Sequence, residues 1–183
     1  RAKRSATVTN AHLLARAGDD LRIEPDLAYR EGESEYWKLD LIMPKYPGKH
    51  PGEHLRPAIV FVHGGGWRNG DKRKANFLSP AIAYARKGYV CITINYRLTG
   101  EAIFPAQIHD CKAAIRWLRA NADKYRIDAK RIGVWGSSAG GHLVALLGTS
   151  GGVKDLEGAQ PHAEQSSRVP ACLVYTSGAA AGG

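Results

Sequence analysis

What most limits the folds open to this chain is a series of short, β-branched apolar runs separated by helical patterns. Residues 57–62 (PAIVFV), 89–96 (YVCITINY) and 131–135 (RIGVW) are too short for helices, and their apolar residues are too continuous for strands with one wet face. Strands buried on both faces of a parallel sheet read this way. Between them, 71–87 and 105–125 have helical character, and 139–147 (AGGHLVALL) supplies a third helix. In 105–125 the residues Ile108, Cys111, Ile115, Leu118, Ala122 and Tyr125 recur in steps of three and four, which gathers them on one face. Lys112, Arg116, Arg119 and Lys124 are expected on the solvent face of that helix. Gly88 stands where a left-handed residue would end the first helix. Strands alternating with helices define an α/β class, with a mostly parallel sheet and helices on both faces.

The remaining segments complete a single domain over 1–183. Residues 1–20 are polar and Ala-rich and are expected to form an N-terminal arm. Residues 26–29 and 36–43 are expected as two early strands, the second alternating Tyr36, Lys38, Asp40 against Trp37, Leu39, Leu41. Four prolines and two glycines make 44–57 a loop. A loop is also expected over 151–167, a further strand over 169–175, and no pattern for structure over 176–183.

Composition excludes several classes of function. No apolar run approaches the ~18–20 residues of a membrane span. The net charge is +9, but its Lys and Arg residues are scattered and no aromatic-basic module accompanies them, so nucleic-acid binding is not expected. Cys91, Cys111 and Cys172 lie inside apolar runs without C-x-x-C spacing and read as small buried hydrophobes. The chain opens on Arg1 without a signal-peptide pattern, which fits a mature or trimmed protein and leaves the compartment open.

Two motifs carry chemistry. Gly136-Ser137-Ser138-Ala139-Gly140 follows an apolar run and opens a helix, the context of a G-x-S-x-G nucleophile elbow. A serine hydroxyl attacks well only when held bare and aimed, and a strained strand–turn–helix does the aiming. The pattern centres Ser138 rather than Ser137. The helix that follows points its free N–H groups and its positive dipole end at a developing oxyanion. His63-Gly64-Gly65-Gly66-Trp67, after the 57–62 strand, is a loop whose glycines let backbone N–H groups turn inward. The N–H groups of Gly65, Gly66 and Ala139 are the candidate oxyanion donors. Trp67 is a further contributor or a pocket wall, and His63 and Gly64 shape the loop. His142, one turn beyond Ser138, reads as packing or capping, and His109 as a surface or packed residue. A phosphate nest is the competing reading of GSSAGG, but neither G-x-x-x-x-G-K-[ST] nor G-x-G-x-x-G occurs.

With these motifs in this order, the chain resembles α/β-hydrolases of the hormone-sensitive-lipase-like and acetyl/feruloyl esterase kind. The resemblance runs over about 26–174 and includes HGGGW at 63–67, Asn95-Tyr96-Arg97-Leu98, Phe104-Pro105-Ala106, Asp110, AAIRWL at 113–118 and GSSAGG at 136–141. It implies that Ser138 is the nucleophile, that Gly65, Gly66 and Ala139 line the oxyanion hole, and that carboxylic esters are hydrolysed without a metal or organic cofactor. The implied partner is a small-molecule ester, with acetylated or feruloylated carbohydrate favoured, and the resemblance leans toward an exported protein.

The same resemblance implies a triad acid and then a histidine after Ser138. Past the elbow helix the chain holds only Asp155, Glu157, His162 and Glu164, all before the 169–175 strand, where this family has neither partner. An improvised Asp155–His162 dyad is disfavoured. The expectation is therefore a C-terminally truncated hydrolase lacking its last strands, with elbow and oxyanion hole present but acid and base missing. Its 169–175 strand would be an exposed edge open to self-association. The alternative is a non-catalytic ligand- or partner-binding remnant of the fold. A serine peptidase fits HGGGW less well.

Overall fold

In the computed structural model, six strands among the described residues form one sheet: β1 (Leu21–Ala28), β2 (Lys38–Pro44), β3 (Arg56–Val62), β4 (Val90–Ile94), β5 (Ile127–Ser137) and β6 (Ala171–Tyr175). The helices that accompany them there are α1 (Ala75–Arg86), α2 (Ala106–Ala120), α3 (Ala122–Tyr125), α4 (Ala139–Thr149) and α5 (Lys154–Glu157). The structure describes residue 14 and residues 18–45, 55–159 and 161–175. Most of the expected N-terminal arm and all of 176–183 lie outside the described residues.

The strands lie in the order β1-β2-β4-β3-β5-β6. β3 runs parallel to β4 and β5, and β5 parallel to β6, while β1 and β2 form an antiparallel margin. Alternate residues of β3 feed two cores. Phe61 joins Ile42 and Cys91 under Phe77, Leu78 and Ala81 of α1. Val60 and Val62 face Ile108, Cys111 and Ile115 of α2 and Leu143, Val144 and Leu147 of α4. Each such aliphatic side chain, fully buried, contributes roughly 1.5–3 kcal/mol. The register sets the rest: Val62 at the end of β3 pairs with Ile94 on one side and Gly136 on the other. The loops leaving β3 and β5 therefore emerge side by side at the carboxyl edge of the sheet, where ligands bind in open α/β sheets.

Several expectations need correction. β1 begins at Leu21 rather than residue 26; a register shift between Glu24 and Leu27, with Asp26 at φ +55°, lets an edge strand absorb Pro25 and its charges. β2 does not alternate wet and dry, because α1 and α2 cover both faces and Leu39 to Ile42, Asp40 included, are buried. The 105–125 helix breaks at Asn121 into α2 and α3. Lys112 and Arg116 are buried rather than solvent-facing: Lys112 Nζ donates to Ser150 O at 2.7 Å and to Glu157 Oε1 at 2.8 Å, and Arg116 pairs with Glu157 Oε2 at 3.2 Å. The segment expected as a plain loop contains α5 and is strapped across α2 by these contacts. Cys91 and Cys111 are buried, but Cys172 is exposed, since β6 has a neighbour on one side only among the described residues.

Candidate active site

The turn between β5 and α4 places Ser138 at φ +53°, ψ −124°, a left-handed conformation that costs a side-chain-bearing residue of order 1–3 kcal/mol. The turn persists because the backbone around it is too close for any relaxed alternative. A Cβ on Gly136 would run into the carbonyl of Gly140, and a Cβ on Gly140 into the carbonyls of Val62 and His63. Glycine at both positions lets the start of α4 seat directly on the end of β3. Ser138 is exposed, while Ala139 and Gly140 behind it are buried. The carbonyl of Ser138 accepts the His142 N–H at 3.0 Å, the first bond of the helix. The N–H groups of residues 139–141 thus have no intrahelical acceptor, as at any helix start.

The glycine loop lies against this turn. A Cβ on Gly64 would stand 2.7 Å from Ser137 O and 3.3 Å from Ser138 Cβ. Gly65, Gly66 and Trp67 have φ of +136°, +62° and +59°. The carbonyl of Gly65 accepts the N–H groups of Arg68 at 3.2 Å and Asn69 at 3.1 Å. In a trans peptide the C=O and the next N–H point opposite ways, so the Gly66 N–H faces out of that turn. Thr99 N–H ties Trp67 O at 2.8 Å. Trp67 meets the ring of His142 edge-on at 5.4 Å, and both line a cavity of about 260 Å³ with Thr99, Phe104, Gln107 and Leu143. A smaller cavity of about 190 Å³, lined by Asn76, Phe77, Trp135 and Ser137, lies on the α1 side of the turn.

His63 is buried, stacked on Tyr96, and its Nδ1 is 2.9 Å from Gly64 O. A carbonyl only accepts, so Nδ1 carries the proton. Nε2 has no hydrogen-bond partner among the described residues. Burial pushes its pKa down to about 4, so the ring is neutral near pH 7. This geometry has His63 bracing the loop from behind. His109 Nε2 meets Asp155 O at 2.9 Å, and His162 Nδ1 stands 3.7 Å from Glu164. Among the described residues no histidine ring is hydrogen-bonded to Ser138, and no group of three His, Cys, Asp or Glu side chains is placed to hold a metal ion.

Two features escaped the sequence reading as supports of the site. Asp110, fully buried, accepts from Arg97 N and Nε at 2.9 and 2.8 Å, from Arg30 at 2.9 Å and from Trp37 Nε1 at 3.1 Å, which pins the segment after β4 to α2. Asn95 holds the far limb of the glycine loop. The available signal was a carboxylate between Ile108 and Cys111 on an apolar helical face, where a charge needs partners.

A mostly parallel sheet with a strained serine at a strand-to-helix turn and a glycine loop packed behind it defines the α/β-hydrolase class. The model of the BD-FAE family matches residues 39–176, and the chain belongs to that family of esterases. Esterase LipC of Mycobacterium tuberculosis is 37% identical over 111 residues, covering 61% of this chain and 27% of that protein. The structure of a bifunctional GH43-CE from Bacteroides eggerthii has a TM-score of 0.73 at 38% identity, over 82% of this chain and 20% of that one. A truncated form of a carbohydrate esterase from gut microbiota gives 0.70 at 33% identity, over 85% of this chain and 57% of that one. The chain therefore spans about a quarter of the length of the curated relatives it matches. No helix among the described residues is long and apolar enough to cross a membrane.

Proposed function

We propose that this chain supplies the nucleophile and oxyanion machinery of a carboxylic ester hydrolase. The carrying observation is Ser138, exposed at φ +53° with the backbone of Gly64 against it. In this reading Ser138 Oγ adds to the ester carbonyl, and the negative charge on the carbonyl oxygen gathers at the N–H groups of Gly65, Gly66 and Ala139. Collapse of that adduct expels the alcohol and leaves an acyl-serine for water to cleave. The proton released by Ser138 needs a base from outside the described residues, since none of the described histidines is bonded to it. No metal or organic cofactor enters the reading. The apolar cavity walled by Trp67, Phe104 and Leu143 supports an acyl group packed beside the serine. The carbohydrate esterase among the structural relatives supports an acetylated or feruloylated sugar as the alcohol side. Leu173 and Val174 of β6 are 52% and 44% exposed, which supports self-association along that edge.

The test is mass spectrometry after incubation with an activated fluorophosphonate, comparing the wild type with Ser138→Ala. Stoichiometric labelling that the variant loses means that a base reaches Ser138, from this chain or a second copy of it, and upholds the reading. An unlabelled wild type favours the second reading, a non-catalytic domain that binds a ligand or partner through the same cleft. That reading draws on the same observation, that none of the described histidines is hydrogen-bonded to Ser138.

A further inference from the structure

The glycine loop has a mechanical problem. Gly64, Gly65, Gly66 and Gly70 give it wide conformational freedom, yet oxyanion donors act only when held in place beforehand. Its incoming limb is fixed by β3. Its outgoing limb belongs to no strand or helix until α1 begins at Ala75.

A buried polar cluster meets that limb. Asn95, just past the end of β4 and 7% exposed, accepts the Lys72 N–H on Oδ1 at 2.6 Å and donates from Nδ2 to Asp71 Oδ2 at 3.2 Å. Asn95 is itself held: its N–H donates to Lys38 O at 3.0 Å, and its carbonyl accepts the Tyr29 hydroxyl at 2.8 Å. Lys72 Nζ, 3% exposed, reaches Asp26 Oδ1 at 2.6 Å and Asp40 Oδ1 at 3.1 Å. Arg73 clasps Asp40 through Nε at 2.6 Å and Nη2 at 2.9 Å. Asp40 is fully buried on β2, two strands from the loop's own strand. A carboxylate taken out of water is retained only where cations meet it, so the cluster holds Lys72 and Arg73 firmly to the sheet.

We infer that Asn95 and Asp40 are positioning residues: they fix residues 71–73 and thereby set where the N–H groups of Gly65 and Gly66 stand. Neither touches the reacting atoms. The consequence for chemistry rests on the ester-hydrolase reading; the anchoring does not.

Hydrogen exchange by mass spectrometry on the full chain tests this. Asn95→Ala and Asp40→Asn are expected to speed exchange over 64–73 by tenfold or more while 57–62 and 131–136 keep their wild-type protection. Asn95→Asp sets two carboxylates face to face at residue 71 and is expected to do the same. Adding Asp71→Asn reverses donor and acceptor and is expected to restore protection. Unchanged loop exchange in Asn95→Ala, equal acceleration across loop and sheet, or a swap no better than Asn95→Asp alone would each overturn the inference. Should Asp40→Asn fail to fold, the Asn95 series decides. Fluorophosphonate labelling of Ser138 is expected to slow tenfold or more in Asn95→Ala and to recover in the swap. A wild type that does not label counts against the ester-hydrolase reading alone, and the exchange data still decide the anchor.

Discussion

The imidazole of His63 lies face to face with the ring of Tyr96, centroids 4.4 Å apart and planes 14° from parallel, and the Tyr96 hydroxyl donates to the His63 carbonyl at 2.8 Å. The stack seals the base of the glycine loop with an uncharged histidine. Its pKa, lowered by burial to about 4, lies below the ordinary 6.5 of an unfolded chain. Between these values the unfolded state binds a proton that the folded state refuses, so stability falls as pH drops from about 6.5 to about 4 and this contribution levels off below. The total is about 3 kcal/mol, from 1.36 kcal/mol per pKa unit. Urea unfolding of the wild type and His63→Gln across that range checks it; the variant is expected to lose this part of the slope.

Ser138 combines a reactive position with a strained backbone. Ser138→Gly removes the penalty of a side chain at φ +53° and is expected to raise stability by about 1 kcal/mol. Ser138→Ala keeps the strain and is expected to leave the unfolding midpoint nearly unchanged, although both variants lose fluorophosphonate labelling. A less stable Ser138→Gly would mean that the turn is not strained.

Two glycines in the same site separate close approach from backbone conformation. Nothing lies within 4 Å of a Cβ on Gly66, so Gly66→Ala meets only its φ of +62° and is expected to cost about 1 kcal/mol. A Cβ on Gly140 collides with the Val62 carbonyl, and neither backbone can retreat without unseating α4 from β3. Gly140→Ala is expected to cost about 3 kcal/mol or to abolish folding, read from denaturant midpoints. Equal costs for the two would refute the close-packed elbow.

The parts legible in the sequence were those whose causes are local. The β3, β4 and β5 runs are apolar because both faces are covered, and the elbow and glycine loop need small residues at fixed spacing. What escaped was set by distant partners. A 3.6-residue period puts Lys112 on the flank of the apolar stripe of α2 and Arg116 further round toward solvent, and nothing nearby tells that Glu157, 45 and 41 residues further on, comes down over them. Asp40 broke an expected alternation for the same reason, since its cations Lys72 and Arg73 lie 32 and 33 residues away on the loop limb. Cys172 looked like core because its neighbours in sequence are apolar, but exposure on β6 depends on which strand stands beside it.

The Glu157 clamp gives the last prediction. Lys112 is fully buried, and among the described residues its ammonium keeps the Ser150 carbonyl alone if the Glu157 carboxylate is removed. Leaving such a charge uncompensated typically costs about 3–5 kcal/mol, so Glu157→Ala is expected near the lower end because Glu157 itself is partly exposed. In a Lys112→Met background the same change is expected to cost less than half as much, since no buried ammonium is then stranded there, and a double-mutant cycle reads the difference. Partial burial alone would raise the Glu157 pKa, but hydrogen bonds from Lys112, Ser167 and the Gly152 N–H bring it down to about 2. A lowered carboxylate pKa stabilises the fold above its unfolded value near 4.5, and the contribution is lost as pH falls toward 2. This acid loss is expected to disappear in Glu157→Ala while the His63 slope between 6.5 and 4 remains, because among the described residues the two groups share no partner: Glu157 meets Lys112, Arg116, Gly152 and Ser167, and His63 meets Gly64 and Tyr96. An additive cycle, or a Glu157→Ala variant that keeps the low-pH loss, would show that 150–168 is not held onto α2 by this carboxylate.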